Sequence, residues 1–66
     1  MNFVSTLMNE FSGKVDNLSC HIMHDRLRLS GTTTSFYFKQ LLQERAKKLT
    51  GMRIENLVEV ATLHSA

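Results

Sequence analysis

A chain of 66 residues has the size of one small domain, and folding at this length buries only about 60% of the surface that the unfolded chain exposes. The net charge of +2 is too small to mark a dedicated nucleic-acid binder, and no apolar run reaches the 18 or so residues that a transmembrane helix needs. The only cysteine, Cys20, has no intramolecular disulfide partner. A chain of this length forms only a small hydrophobic core without a disulfide to support it. A homodimer, or docking onto another protein, is therefore an open alternative.

The first ten residues do not resemble a secretory signal. They lack a basic n-region, and polar residues interrupt the apolar stretch that an h-region needs. We therefore expect a cytoplasmic protein for the chain as written. Trimming from an exported precursor is the alternative.

Apolar residues near the N-terminus recur at the spacing of a helix. They are Phe3, Val4, Leu7, Met8 and Phe11. This pattern predicts a helix with one apolar stripe, with Asn2 as its N-cap and Gly13 as a left-handed C-terminal cap. Asn9 and Glu10 occupy its polar side, where a membrane-surface helix usually carries Lys or Arg. A helix that covers the core is therefore favoured.

From about Leu18 to Thr33 the apolar period changes from 3.6 to two. Leu18, Cys20 and Ile22 alternate with polar residues, as do Leu27 and Leu29. Successive side chains of a strand point to opposite faces, so the pattern predicts an antiparallel hairpin with its connection at His24-Asp25. Arg26 and Arg28 then lie on the outward face.

A second helix is predicted from about Ser35 to Leu49, and a third strand follows it. Phe38, Leu42, Ala46 and Leu49 stack on one helix face, and Gly51 provides a C-terminal cap. Met52, Ile54, Val58 and Val60 alternate with Arg53, Glu55, Leu57 and Glu59. Asn56 falls on the apolar side of that strand, where its amide needs hydrogen-bond partners.

The order of elements predicts an α+β fold, αββαβ, with two helices packed on one face of a three-stranded mixed sheet. We divide the chain into an N-terminal helix and cap (1–14), a hairpin–helix–strand core (15–60) and a frayed tail (61–66). The composition gives no sign of a second domain or a linker.

Three motifs follow one another in residues 15 to 60. They are Ile22-x-x-Asp25-x-Leu27-x-Leu29-x-Gly31 in the hairpin, the helix residues Leu42, Ala46 and Leu49 before Gly51 and Met52, and Ile54-x-Asn56-x-Val58-x-Val60 in the last strand. In their order and spacing, these motifs resemble those of a BON domain. The chain departs from the family at Asp25, where a turn glycine is usual, and at Thr33, where an aliphatic residue is common. The link from Gly51 to Ile54 is also one residue shorter.

The resemblance implies a non-catalytic binding module. BON domains occur mostly in periplasmic or envelope proteins and are thought to bind membranes or other envelope components. Phospholipid binding and membrane association are therefore expected from the resemblance, with a protein partner as the other expected contact.

The residues themselves offer no catalytic or metal site, so we expect no enzyme activity, no metal and no cofactor. Cys20, His21 and His24 include metal-ligating side chains, but Cys20 and His21 point to opposite faces of a strand. Cys20 is predicted to be a small core residue. A nucleophilic site would also need a base and an orienting group beside the thiol.

The basic residues are the remaining candidates for binding. The candidate contacts to an anionic surface are Arg26, Arg28, Lys39, Lys47, Lys48 and Arg53. The alternative is a solvated face with ordinary ion pairs to Glu55 and Glu59. A small nucleic-acid-binding domain is a second functional alternative, although the outward sheet positions show no aromatic residues for base stacking. Phe36 and Tyr37 together form a candidate contact patch.

Overall fold

The computed structural model describes residues 2–61, which form an α+β fold of two helices and a mixed sheet of four strands. The elements in chain order are α1 (Phe3–Glu10), β1 (Asp16–Ile22), β2 (Arg26–Thr33), α2 (Phe36–Thr50), β3 (Arg53–Asn56) and β4 (Glu59–Val60). The predicted fold class is confirmed. Of the predicted tail, only Ala61 lies within the described residues, where its N–H donates to the carbonyl of Thr33.

Helix α1 begins as predicted and ends earlier than predicted. The side chain of Asn2 accepts hydrogen bonds from the N–H groups of Val4 and Ser5, which confirms the N-cap. The C-cap is Phe11 with φ −106°, so the prediction of Gly13 as the cap residue is wrong, although Gly13 does adopt the predicted left-handed conformation with φ +80°. Phe11 is 2% exposed, and its carbonyl accepts hydrogen bonds from the N–H groups of Lys14 and Val15, which form the turn after the helix.

The hairpin pairs β1 with β2 in antiparallel register, with Cys20 opposite Leu29 and Ile22 opposite Leu27. A hydrogen bond of 2.7 Å from the N–H of Met23 to the carbonyl of Arg26 closes the turn. No positive φ occurs at the predicted connection, so this turn accepts Asp25 in place of glycine.

A bulge interrupts the hairpin near the start of β1. Asp16 pairs with Thr32 and Ser19 pairs with Ser30, so two residues of β1 face the single residue Gly31. One of the two is Asn17, whose φ of +54° is left-handed. Asparagine tolerates this conformation better than most residues.

Helix α2 begins and ends close to its predicted bounds, and Gly51 is its C-terminal cap as predicted. Ser35 Oγ accepts a hydrogen bond from the N–H of Phe38 at 3.2 Å. At the other end Gly51 has φ +68°, and its N–H donates to the carbonyl of Lys47. Leu42 and Ala46 are fully buried on the predicted apolar face.

The predicted third strand is split into β3 and β4, both parallel to β2. Leu27 is opposite Ile54, and Thr33 is opposite Val60. Between the two short strands, Asn56 Oδ1 accepts a hydrogen bond from the N–H of Val58 at 3.1 Å. This local contact lies at the break between β3 and β4, and the sheet has four strands where three were predicted.

Both helices cover the same face of the sheet, as predicted. One cluster joins side chains of α1, the hairpin, α2 and the third-strand region. Its members are Leu7, Phe11, Val15, Leu27, Leu29, Leu42, Ala46 and Val58. Thr33 is the buried polar residue at its border, and its hydroxyl donates to the carbonyl of Lys14 at 2.7 Å. The opposite, open face of the sheet carries the polar side chains.

Candidate partner-binding surface

The open face of the sheet brings together three of the predicted basic residues. Arg26 lies opposite Arg53 in the parallel register, and Arg28 lies opposite Glu55. Directly opposed residues of neighbouring strands point to the same face, so all four side chains share it. The predicted outward positions of Arg26, Arg28 and Arg53 are therefore confirmed.

Glu55 neutralises much of the positive charge on this face. Its carboxylate lies 2.8 Å from Arg28 Nε and 3.9 Å from Arg26 Nη1. Asp25 adds a third contact, 3.4 Å from Arg26 Nε. The hydrogen bond from Arg28, followed by the charges of Arg28 and Arg26, lowers the pKa of the Glu55 carboxyl. Arg28 is thus engaged by a hydrogen bond, and Arg26 by two longer ion pairs that leave its Nε without a hydrogen-bond partner in residues 2–61. Both arginines are paired within the molecule, as the solvated-face alternative requires of them.

The other four predicted contacts have no such partner in residues 2–61. No carboxylate oxygen of these residues lies within 4.0 Å of the charged nitrogen atoms of the following side chains. They are Lys39, Lys47, Lys48 and Arg53. These four residues are called the unpaired cations below. They comprise three residues of α2 and the first residue of β3, which are elements that pack against each other.

A surface groove runs between α2 and the edge of the sheet at β3, and the unpaired cations line it, with the open-face residue Arg53 bordering it from this edge strand. Its two adjoining parts are lined by Phe36, Lys39, Gln40, Gln43, Glu44, Lys47, Lys48, Arg53, Ile54 and Asn56. We call this the α2–β3 groove. Glu44 is its only acidic lining residue in the described chain, so the groove carries an excess of positive charge.

Asn56 holds α2 and β3 together at the base of this groove. Its Nδ2 donates to the carbonyl of Lys39 at 2.9 Å and reaches Gln43 Oε1 at 3.4 Å. Its Oδ1 accepts the N–H of Val58, a residue that is 1% exposed. The Asn56 amide was predicted to need hydrogen-bond partners, and it has them. Its bonds to α2 link this helix to β3.

Phe36 and Tyr37 lie at the N-terminal end of α2, and about two thirds of each side chain is exposed. Lys39 Nζ lies 6.0 Å from the centroid of the Phe36 ring, near the outer limit of a cation–π contact. The predicted aromatic contact patch is therefore accessible. Of its two rings, Phe36 lines the α2–β3 groove at the end away from Lys47 and Arg53, whereas Tyr37 lines a separate cavity with Gln40, Leu41 and Glu44.

An ion pair between the two helices accounts for another basic residue. Arg45 donates from Nε and Nη2 to the two carboxylate oxygens of Glu10 at 2.9 and 2.7 Å. The hydrogen bond from Arg45 lowers the pKa of Glu10. Sequence analysis missed this pair because its members are 35 residues apart and neither helix shows an internal signal for it.

The residues considered for metal binding or nucleophilic chemistry lie where the strand pattern predicted. Cys20 is half-buried against the core, whereas His21 is exposed and contacts Ser19 Oγ at 3.3 Å. Burial raises the pKa of the Cys20 thiol, which disfavours the reactive thiolate. Within residues 2–61, His, Cys, Asp and Glu form no group of three or more that could hold a metal ion.

Comparisons with known proteins give no relative to which this chain can be assigned. No protein-family model, curated protein or solved structure matches it. The similarity to BON domains therefore stays a prediction based on the motifs quoted above. None of the described helices is long and apolar enough to cross a membrane.

Proposed function

We propose that this chain is a non-catalytic binding module of the BON type, and that its α2–β3 groove contacts an acidic region of a partner protein. The observation that carries the proposal is that only two of the six candidate cations are contacted by a carboxylate of the described residues. Arg26 and Arg28 are engaged by Glu55 and Asp25, whereas the unpaired cations meet no carboxylate in residues 2–61 and line one groove. A concave basic surface attracts acidic groups and selects their arrangement.

The shape of this surface favours a protein partner over an anionic lipid surface. The unpaired cations lie along a groove that also contains Glu44, Gln40 and Gln43. A protein segment can enter a groove and place its carboxylates between such groups, whereas lipid head groups form a broad and nearly flat array. Phospholipid binding and membrane association are thus alternatives that the same experiment tests.

Two matched double variants test the role of the groove. Lys47→Gln/Arg53→Gln removes two unpaired cations, and Arg26→Gln/Arg28→Gln removes two cations that are engaged by carboxylates. The probe is a fluorescent polyglutamate peptide, and its binding is followed by anisotropy at low salt. Two exposed ion pairs contribute about 0.4 to 2 kcal/mol together, so we expect the groove variant to bind about 2- to 30-fold more weakly. The open-face variant should bind within about twofold of the parent chain.

Titrations with vesicles and with RNA test the lipid and nucleic-acid alternatives. The parent chain is also titrated with phosphatidylcholine vesicles with and without phosphatidylglycerol, and with single-stranded RNA. Binding to the acidic vesicles alone would replace the protein partner by a lipid surface, and binding to RNA alone would favour the nucleic-acid alternative. The proposal is overturned if polyglutamate fails to bind, or if both double variants weaken it equally.

A further inference from the structure

The outer edge of β3 exposes backbone groups that could pair with another strand. The N–H of Leu57 donates to the carbonyl of Leu29 in β2 at 2.8 Å, so the backbone of Leu57 points into the sheet. Backbone groups alternate in direction along an extended strand. Those of Glu55 therefore also point toward β2, and those of Ile54 and Asn56 point away from it.

No hydrogen bond in residues 2–61 uses these outward backbone groups. β3 pairs with β2 on one side, and on its other side the sheet ends. The next outward N–H, that of Val58, is occupied by the side chain of Asn56. The free edge is consequently short: two N–H groups and two carbonyl groups, at Ile54 and Asn56.

The α2–β3 groove lies beside this same edge, since Ile54 and Asn56 line it. Its length follows from the helix, because the rise from Phe36 to Lys47 is about 16 Å at 1.5 Å per residue. An extended strand covers that distance in about five residues. A strand added at β3 would thus reach from the exposed Phe36 ring to the end that carries Lys47, Lys48 and Arg53.

We propose that an extended acidic segment of a partner protein adds as a strand to the free edge of β3. Its backbone pairs with Ile54 and Asn56, and its alternate side chains enter the groove beside α2. Strand addition of this kind derives affinity from the main chain and specificity from the side-chain pockets beside it. The positive charge of the groove selects carboxylate side chains. This inference rests on the proposed function and adds the conformation of the bound partner.

The test alters the backbone of the probe and leaves the protein unchanged. One probe is a short peptide in which Glu alternates with Val. The second has the same sequence with alternate backbone amides N-methylated, which keeps its charge and blocks edge pairing. Binding to the parent chain is measured by anisotropy, and hydrogen exchange of individual amides is followed by NMR.

We expect the unmodified peptide to slow exchange of the Ile54 and Asn56 amides at least about tenfold, since a paired N–H exchanges only when the pair opens. The N-methylated peptide should bind at least about tenfold more weakly. Equal binding of both peptides, without protection of these amides, would overturn strand addition and leave the proposed function standing. Failure of both peptides, with no binding of polyglutamate, would overturn both proposals.

Discussion

The two edge strands of the sheet are fitted to β2 by different means. β1 is fitted by its backbone: Asn17 adopts a left-handed conformation, and two residues of β1 face Gly31. β3 is fitted largely by side chains, since Asn56 fastens it to α2 and Glu55 accepts a hydrogen bond from Arg28 of β2. Both features bring an edge strand into register with β2, but the outer edges of β1 and β3 differ as a result.

The difference matters for what each edge can do. A bulge bends the strand that contains it and disrupts regular pairing with a further strand. The bulge of β1 therefore protects that edge near its start. β3 keeps a regular stretch from Arg53 to Asn56 and is closed only where the Asn56 side chain occupies the N–H of Val58. The two outer edges thus differ in position: the regular part of β1 runs from Ser19 to Ile22, whereas that of β3 lies beside the unpaired cations.

Replacing Gly31 should have the largest effect and tests the backbone-fitted edge. A Cβ added there would lie 2.8 Å from the carbonyl oxygen of Asp16, and the φ of +149° disfavours any side chain. We expect Gly31→Ala to lower the free energy of unfolding by about 2 to 4 kcal/mol, from strain and overpacking together. Urea denaturation followed by circular dichroism measures the change.

Gly51→Ala is the matched control for this substitution. Gly51 also has a positive φ of +68°, but a Cβ added there meets no atom within 4 Å. We expect a loss of only about 1 kcal/mol, which is the cost of the left-handed conformation alone. Equal losses at Gly31 and Gly51 would mean that the close approach of β1 to Gly31 does not constrain this edge.

Replacing Asn56 should have the next largest effect and tests the side-chain-fitted edge. Asn56→Ala removes the acceptor for the N–H of Val58 and the donor to the carbonyl of Lys39. A shielded polar group left without a partner costs about 1 to 3 kcal/mol, and we expect destabilisation in that range. Exchange of the Val58 amide should also become faster when measured by NMR.

Gln43→Ala serves as the control, because it removes only the exposed contact of 3.4 Å to Asn56 Nδ2. We expect a change within about 0.5 kcal/mol, as for most surface substitutions. If the Val58 amide keeps its protection in Asn56→Ala, the break between β3 and β4 has another cause than the Asn56 side chain.

The comparison also shows which features the sequence could predict. Caps such as Asn2, Ser35 and Gly51 act within a few residues, so local patterns were sufficient to place both helix starts and the end of α2. The division of the third strand depends on what the Asn56 amide bonds. One of its partners is the carbonyl of Lys39, which is 17 residues away in sequence. Such a contact is defined only after α2 and β3 have packed.

In the candidate site, too, local features could be predicted from the sequence, and features that depend on packing could not. Alternation predicted correctly that Arg26, Arg28 and Arg53 point outward, because side-chain direction is local. It could not divide the six candidate cations into engaged and unpaired sets, since that division depends on the strand order and the register of β2 with β3. Glu55 faces Arg28 only because β3 lies directly beside β2.

The smallest expected effect concerns how the stability of the fold depends on pH. It compares the Glu55 carboxylate on β3 with the Glu10 carboxylate, which joins the two helices. Arg28 lowers the pKa of Glu55, and Arg45 lowers that of Glu10. A carboxyl with a lowered pKa stabilises the fold at pH values above its ordinary pKa of about 4.5, and this contribution is lost as the pH falls through the lowered value. Thermal unfolding at neutral and acidic pH measures it.

Glu55→Gln and Glu10→Gln should each lose less stability than the parent chain when the pH falls from neutral to 3, because each lacks one of these carboxylates. Both pairs are exposed, so the differences should be small and should shrink as salt screens them. Only Glu55→Gln removes the partner of Arg28 and one of the two partners of Arg26, so only this variant should strengthen polyglutamate binding at neutral pH. Equal strengthening by Glu10→Gln would show that net charge, and not the pairing of the open-face arginines, controls attraction to acidic partners.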